Sequence, residues 1–327
     1  MKEIKIFEWL GVRAGFTQRP EKSTDIRSML ANEARDRNKV VLWPYLVHGT
    51  RIAVCRASAP DAPPLKVDRA PDFISLKDIK AVGKPSDAPF DEKLRLSLSF
   101  GGSAFATNVA ENSTWTDARP DTEPSLEWRS EALLGIGATD GCVTDVPGVV
   151  LTSTHGDCLP IYIYDPVKKA VGLAHAGWRG TYDGIAAVLA DTMVREFGSD
   201  PMDMLAYIGP GIDFCCFEVN EDVAEAFTDR YYWAQEMTAI KPLRYEKQPH
   251  AAGPLNAGDA EETEYQPVQK YLVDLKAVND ELLKISGIPE ENINICRDCT
   301  VCDAESYYSH RRAKEKDRML AYICLDM

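Results

Sequence analysis

The sequence predicts an α/β protein: a layered single-domain sandwich with mixed sheets and flanking helices, plus a loop-rich inserted lobe. Two nearly continuous apolar runs, 159–164 and 170–174, are typical of strands that are covered on both faces. Apolar residues then recur at three- or four-residue steps from Tyr182 to Phe197 and stop at Gly198, which predicts an amphipathic helix. Between 57 and 134, proline, glycine and acidic residues replace these patterns and predict the lobe.

The remaining elements follow from shorter patterns along the chain. Apolar or alternating runs predict further strands at 3–8, 40–43, 52–55, 142–144, 149–152, 205–208 and 319–325. Helical spacing predicts helices at 24–37, 221–228 and 268–285, and the acidic, glycine-containing stretch 244–264 predicts an exposed loop. We expect residues 1–56 and 135–327 to form one catalytic domain and residues 57–134 to be an insertion of unknown role.

The composition of the chain limits which partners and which cellular compartment we expect. The chain of 327 residues has 37 basic and 51 acidic residues, a formal net charge of −14. Nucleic acid and anionic lipid need clustered Lys and Arg, so this balance favours a small-molecule substrate, with no nucleic acid and no membrane as partner. The charged N-terminal stretch indicates neither a secretory signal nor a membrane span, and nine cysteines, an odd number, suit free thiols in the cytoplasm.

The stretch from Gly148 to Gly180 holds most of the candidate chemistry. Together with His48, its Cys158 and His175 could form a metal set, because one thiolate and two imidazoles suit zinc and leave a fourth position open. Spacing alone does not show that the three converge. Cys158 and His175 could instead form a nucleophile pair in which the imidazole lowers the pKa of the thiol.

Three neighbours are further candidates. Asp157 either caps a turn or carries a proton. His155 is a candidate for supporting a ligand or for shuttling a proton. Arg179, between two glycines ahead of a helix, could hold a phosphate, although an ordinary salt bridge would also explain it.

Several motifs together resemble the laccase-domain family, also called multicopper polyphenol oxidoreductases and peptidoglycan editing factors. They are LVHGT (46–50), HGDCLP (155–160), LAHAGWRGT (173–181), IGPGIDFCCFEV (208–219), VDL (273–275), DCT (298–300) and SHRR…DR (309–318). The resemblance covers about 10–56 and 135–326 and leaves 57–134 unmatched. It implies a zinc ion held by His48, Cys158 and His175. It also implies phosphorolysis of adenosine, inosine, guanosine and methylthioadenosine, and deamination of adenosine. An older assignment in the family is copper-dependent oxidation of phenols.

The chain also departs from the family pattern. Leu46 stands where glutamine commonly precedes VHG, and GFTQRP with Arg19 replaces an Arg-x-Gly-Gly motif and its following segment. We expect Arg19, Arg179 or Arg312 to hold the phosphate, and Asp157 or another acid to move the proton during deamination.

Three alternatives come from other functional classes. A copper polyphenol oxidase is disfavoured because the chain has five histidines, too few for several copper sites. A Cys-His hydrolase acting on an amide or a cell-wall precursor would use Cys158 as the nucleophile. A non-enzymatic binding protein is disfavoured by the gathering of Cys, His and Arg residues around one turn.

Overall fold

The computed structural model describes residues 2–3, 11–19, 40–57, 65–69, 126–130, 133–136, 139–242, 244–247 and 265–326. The helix predicted at 24–37, most of the strand at 3–8 and much of the predicted lobe lie outside these residues. The chain divides into two compact units: unit 1 comprises residues 1–213 and 275–327, and unit 2 comprises residues 214–274. Every predicted site residue belongs to unit 1.

The strands and helices are numbered in chain order. The strands are β1 (Lys2–Glu3), β2 (Val12–Phe16), β3 (Val40–Pro44), β4 (Ile52–Ala57), β5 (Leu65–Arg69), β6 (Leu126–Ser130), β7 (Leu133–Ile136), β8 (Gly141–Thr144), β9 (Val149–His155), β10 (Leu159–Asp165), β11 (Ala170–Ala176), β12 (Leu205–Ile208), β13 (Glu218–Val219), β14 (Thr238–Ile240), β15 (Arg244–Lys247), β16 (Tyr265–Val268), β17 (Tyr271–Val273), β18 (Ile293–Ile295) and β19 (Met319–Leu325). The α-helices are α1 (Trp178–Tyr182), α2 (Ile185–Phe197), α3 (Glu221–Arg230), α4 (Leu275–Ile285) and α5 (His310–Ala313).

Unit 1 contains two seven-stranded mixed sheets, as the predicted fold class requires. Sheet 1 has the order β1-β2-β19-β9-β3-β7-β6, and sheet 2 has the order β18-β12-β10-β11-β8-β4-β5. Most pairs are antiparallel, but β3 runs parallel to β7 and β9, β4 parallel to β8, and β12 parallel to β18. Buried side chains from both sheets, such as Leu42, Leu151, Tyr162 and Leu173, form one hydrophobic core between them.

The central hairpin of sheet 2 is covered on both faces, as its continuous apolar pattern predicts. Every residue of β10 and β11 is buried. The inward face packs in the core, whereas on the other face Gly172 lies against α2, where an added Cβ would come within 3.1 Å of Leu189 and Met193. The helix predicted from Tyr182 to Phe197 is interrupted, because Gly184 adopts a left-handed conformation with φ of 85° between α1 and α2.

Unit 2 holds a three-stranded sheet of order β13-β17-β14, a two-stranded sheet of β15 and β16, and helix α3. Two predictions need correction here. The helix expected from 268 begins only at Leu275, because Tyr271–Val273 pairs as β17 with β13 and β14. The loop expected at 244–264 opens with Arg244–Lys247, which pairs with Tyr265–Val268; residues 248–264 lie outside the described part.

The described pieces of the predicted 57–134 insertion belong to the two sheets. β5 pairs with β4 in sheet 2, and β6 pairs with β7 in sheet 1. The sequence gives these pieces no clear pattern, and the domain boundaries remain a prediction. No helix in the described ranges combines the length and apolar character that a membrane span requires.

Candidate metal centre

The three predicted ligands converge on one glycine. A Cβ built on Gly177 would lie 3.2 Å from Cys158 Sγ, 3.6 Å from His175 Cε1 and 3.6 Å from His48 Cδ2. The rings of His48 and His175 meet edge to face, with centroids 5.1 Å apart. Only a residue without a side chain leaves the space between these three groups open.

Sheet register explains how Cys158 and His175 meet. In the β10–β11 hairpin, Leu159 pairs with Ala176 and Pro160 with His175. Cys158 therefore precedes β10 at the edge where β11 ends and Gly177 begins. The hairpin around Asp165 brings together two residues that are 17 positions apart in the chain.

His48 arrives at the same edge from the loop before β4. Its backbone has a φ of 60°, a left-handed conformation that costs a non-glycine residue about 1–2 kcal/mol. The buried carboxylate of Asp140 stabilises this loop. Oδ1 accepts hydrogen bonds from the backbone N–H of Val47 (3.0 Å) and His48 (2.7 Å), and Oδ2 accepts from Gly49 (3.0 Å).

Burial determines the protonation of the two inner histidines. It lowers the pKa of His175 well below the usual value, and the neighbouring His155 and His48 act in the same direction. Burial also lowers the pKa of His155 to about 3. Both imidazoles are therefore neutral at physiological pH, the state in which a ring nitrogen can bind a metal.

Each of the two rings has one buried nitrogen that makes no hydrogen bond to the described part of the chain. His175 Nδ1 and His155 Nε2 are buried and have no hydrogen-bond partner among the described residues. His155 Nδ1 lies 3.1 Å from the carbonyl oxygen of Cys158. A carbonyl only accepts, so we assign the proton to Nδ1, which leaves a lone pair on Nε2. The ring centroid of His155 is 5.4 Å from that of His175.

The thiol of Cys158 is not activated by its protein surroundings. Burial, and to a smaller extent the Asp157 carboxylate, raise its pKa to about 12 against the opposite effect of Arg318. A neutral His175 supplies no charge to stabilise a thiolate. A bound cation would supply that charge, because metal coordination deprotonates a thiol.

Asp157 anchors the turn that carries Cys158. Its φ of 113° shows that the backbone is not extended there. Oδ1 accepts a hydrogen bond from Thr300 Oγ1 (2.8 Å), and Oδ2 accepts from the backbone N–H of Arg311 (2.6 Å). This geometry matches the turn-capping alternative; the proton-carrier role stays a prediction.

Two arginines are near these residues, Arg179 in the chain and Arg318 in space. Arg179 follows Gly177 by two residues and stacks on the Trp178 ring at 4.6 Å from its centroid. Arg318 lies over Gly156, where an added Cβ would meet its Cδ at 2.5 Å. Sequence reasoning missed Arg318; its only signal was the DR of the last quoted motif. Asp140 was also missed, because nothing local distinguishes it from any acid before a strand.

The other two predicted arginines contact the segment at 300–315. Arg312 donates to the carbonyls of Thr300 and Val301 through Nη1, and to that of Tyr307 through Nη2. Arg19 donates to the Ala304 carbonyl, pairs with Glu315 and lies over the Tyr308 ring. These contacts give both side chains a structural role, and phosphate binding by them stays a prediction.

Comparisons with known proteins identify relatives of this chain. The family model described as "Multi-copper polyphenol oxidoreductase laccase" matches residues 107–326. The protein named purine nucleoside phosphorylase YlmD from Bacillus subtilis is 34% identical over 187 residues, 57% of this chain and 58% of that protein. The protein named adenosine deaminase RL5, from an unknown prokaryotic organism, is 30% identical over 57% of this chain and 61% of that protein. The match therefore spans less than two thirds of the length of either relative.

Solved structures share the fold over nearly the whole chain. The hypothetical protein YfiH from Bacillus licheniformis superposes with a TM-score of 0.59 at 25% identity, covering 98% of this chain and 94% of that one. YlmD from Geobacillus stearothermophilus gives a TM-score of 0.56 at 21% identity, covering 99% and 94%. At this identity the second match concerns the fold alone.

Proposed function

Since the chain belongs to the laccase family described as multi-copper polyphenol oxidoreductases, we propose that it is a purine nucleoside enzyme that uses zinc bound by His48, Cys158 and His175. The proposed reactions are phosphorolysis of adenosine, inosine, guanosine and methylthioadenosine, and deamination of adenosine. Relatives named purine nucleoside phosphorylase and adenosine deaminase support the substrate class. The observation that carries the proposal is the convergence of the three side chains on Gly177.

The residue types present suit a zinc ion. A thiolate and two neutral imidazoles are ligands that zinc prefers, and three protein ligands leave one position open. His175 Nδ1 is buried without a hydrogen-bond partner among the described residues, and Gly177 keeps the space between the ligands open. Bound there, zinc would supply a Lewis acid.

The side chains around the three ligands have other proposed roles, in substrate contact and in support of the Cys158 turn. His155 Nε2 offers a lone pair that can accept a hydrogen bond from substrate, and its tautomer is held by the Cys158 carbonyl. Asp157 keeps the Cys158 turn in place through Thr300 and Arg311. Each Asp157 oxygen accepts one of these bonds and keeps a second lone pair that could take up a proton.

Phosphate binding is assigned to Arg179. Its guanidinium is oriented by stacking on Trp178, close in the chain to Gly177, and a planar guanidinium can bind two phosphate oxygens together. Arg318 adds a second positive charge on the side of Gly156. Arg19 and Arg312 donate to carbonyls and pair with Glu315, and Arg318 Nη1 donates to the carbonyls of Glu315 and Asp317, so these three side chains also have structural contacts.

The alternatives receive less support from the site. A Cys-His hydrolase needs a thiolate beside an imidazolium, whereas burial raises the pKa of Cys158 and lowers that of His175. A multicopper oxidase needs more histidines than the five in the chain, three of which are already at this centre. A single copper ion is the remaining form of the copper alternative.

Metal analysis and product analysis test the proposal together. Protein purified without added metal should contain close to one zinc per chain, and Cys158→Ala should lose it, whereas Cys324→Ala, which removes a buried thiol in β19, should keep it. Adenosine should give adenine only when phosphate is present, whereas the formation of inosine should not require phosphate. Copper in place of zinc would favour the oxidase.

Arg179→Met separates the two reactions. It should reduce phosphorolysis at limiting phosphate by at least tenfold while changing deamination much less, because only phosphorolysis uses the anion. The matched control is Arg195→Met, which removes a helix arginine paired with Asp191 at 2.7 Å. Equal loss of both reactions in Arg179→Met would contradict the phosphate assignment, and turnover of no purine nucleoside by the zinc-loaded protein would refute the function.

A further inference from the structure

We propose that Asp140 is a positioning residue that holds two of the metal ligands, His48 and His175, in register with each other. The inference rests on the proposed metal centre. Asp140 touches neither substrate nor metal; it acts through the backbone of the two residues that would bind the ion.

The carboxylate of Asp140 determines where the His48 loop lies. Its two oxygens accept three consecutive backbone N–H groups, from Val47, His48 and Gly49, at 2.7–3.0 Å. These amides point inward because His48 is left-handed, with φ of 60°. A carboxylate with both oxygens buried is the acceptor that can satisfy all three at once, so the loop conformation and the acid depend on each other.

The backbone of Asp140 extends the same arrangement to the other ligand. Its carbonyl accepts a hydrogen bond of 2.7 Å from the backbone N–H of His175. Its own N–H donates to the carbonyl of Arg51, just before β4, at 2.8 Å. Asp140 therefore connects the start of β4, which follows His48, to the end of β11, which carries His175.

This link crosses positions that are remote in the chain. Asp140 lies 92 residues after His48 and 35 residues before His175. It is fully buried. The third ligand, Cys158, receives its position separately, through the hairpin and Asp157. Loss of the Asp140 carboxylate should therefore displace His48 while the Cys158 side of the centre stays in place.

Asp165 provides a matched control in the same sheet. It is also a fully buried aspartate, and its Oδ1 accepts from the backbone N–H groups of Val167 (2.8 Å) and Lys168 (2.9 Å). It lies at the far end of β10 from Cys158, roughly 20 Å away at the rise of a strand. Asp165→Asn thus measures the general cost of weakening a buried aspartate cap.

The experiment compares Asp140→Asn, Asp140→Ala and Asp165→Asn in the full chain. Thermal melts without metal establish that each variant folds. If Asp140→Ala does not fold, the remaining measurements use Asp140→Asn alone. Zinc affinity is measured by competition with a chelator, and the cobalt-substituted proteins are compared by absorption. Hydrogen exchange of the peptide covering 46–50 reports the loop directly without metal.

We expect Asp140→Asn to weaken zinc binding by about 10–100-fold, the range for residues that orient metal ligands, and to shift the ligand-field bands of cobalt. The thiolate-to-cobalt band should persist, since Cys158 is held independently. Exchange at 46–50 should accelerate in both Asp140 variants and stay unchanged in Asp165→Asn.

Unchanged zinc affinity and unchanged cobalt spectra in a folded Asp140 variant would overturn the inference while leaving the proposed function intact. If the wild-type protein binds no metal, the proposed centre fails instead. In that case faster exchange at 46–50 would still support loop positioning by Asp140, and unchanged exchange would overturn it.

Discussion

Replacing Gly177 by alanine tests the geometry of the centre with one methyl group. The backbone at Gly177 has φ of −75° and ψ of 174°, so alanine fits there without backbone strain. The new Cβ would lie 3.2 Å from Cys158 Sγ, which is tighter than ordinary contact. The sulfur must then move by a few tenths of an ångström, or the chain at Gly177 must move by as much.

The expected size of the effect follows from the tolerance of a zinc site. Ligand distances in such sites vary by about 0.2 Å, so the displacement exceeds what the site accepts. We expect zinc affinity to fall by about 10–100-fold, which corresponds to about 1.4–2.8 kcal/mol. Chelator competition at neutral pH measures this directly, and activity should fall to the extent that zinc occupancy falls.

Gly172→Ala is the control for the general cost of adding a methyl group in a tight place. Its Cβ would meet Leu189 Cδ1 and Met193 Sδ at 3.1 Å, within β11, which ends just before Gly177, but on the face against α2. It should lower the free energy of unfolding without changing zinc affinity. If Gly177→Ala folds and binds zinc as tightly as the wild type, Gly177 does not lie between the ligands of the metal and the reasoning is refuted.

Two further predictions concern stability. In metal-free protein, His155 takes up its proton near pH 6.5 when unfolded but only near pH 3 when folded, so the unfolded state binds more protons in between. The free energy of unfolding should therefore fall with decreasing pH by up to about 1.4 kcal/mol per pH unit from pH 6.5 towards pH 3. Urea titrations at several pH values should show a shallower dependence of this free energy on pH for His155→Gln but not for His310→Gln. An equal pH dependence in both variants would contradict the assignment. Lys276 is buried and donates to Asp213 and to two carbonyls, whereas Lys284 on the same helix pairs with Asp280 near the surface. Lys276→Met should therefore lower the free energy of unfolding in urea by about 3 kcal/mol, and Lys284→Met by about 0.5 kcal/mol or less. Equal losses of stability would show that burial does not determine the difference.

The sequence predicts best where one pattern determines one element. The strands around the candidate metal centre and the final strand appear as predicted, because a continuous apolar run in a layered protein usually forms a strand that is covered on both faces. Apolar spacing misplaced the start of α4, since Tyr271–Val273 satisfies the same pattern as a strand once β13 and β14 are present. Pairing with distant strands decided that segment, and no local signal reports it.

The site shows the same division between local and distant information. The candidate ligands were identifiable from residue type and motif, but their meeting at Gly177 depends on the β10–β11 register and on the loop before β4. Asp140 and Arg318 act across long separations, so the sequence shows no reason to single them out. Arg312 looked available for phosphate because its carbonyl partners cannot be seen before the fold is known.

The positions of β5 and β6 have a consequence for how freely the chain can vary. β5 is the outermost strand of sheet 2, and β6 is the outermost strand of sheet 1. In the described sheets each of them pairs with one neighbour, β5 with β4 and β6 with β7, whereas an inner strand such as β9 pairs with two. A change in β5 or β6 therefore disturbs one ladder of hydrogen bonds, and it leaves intact the pairing of β10 with β11 that brings Cys158 and His175 together.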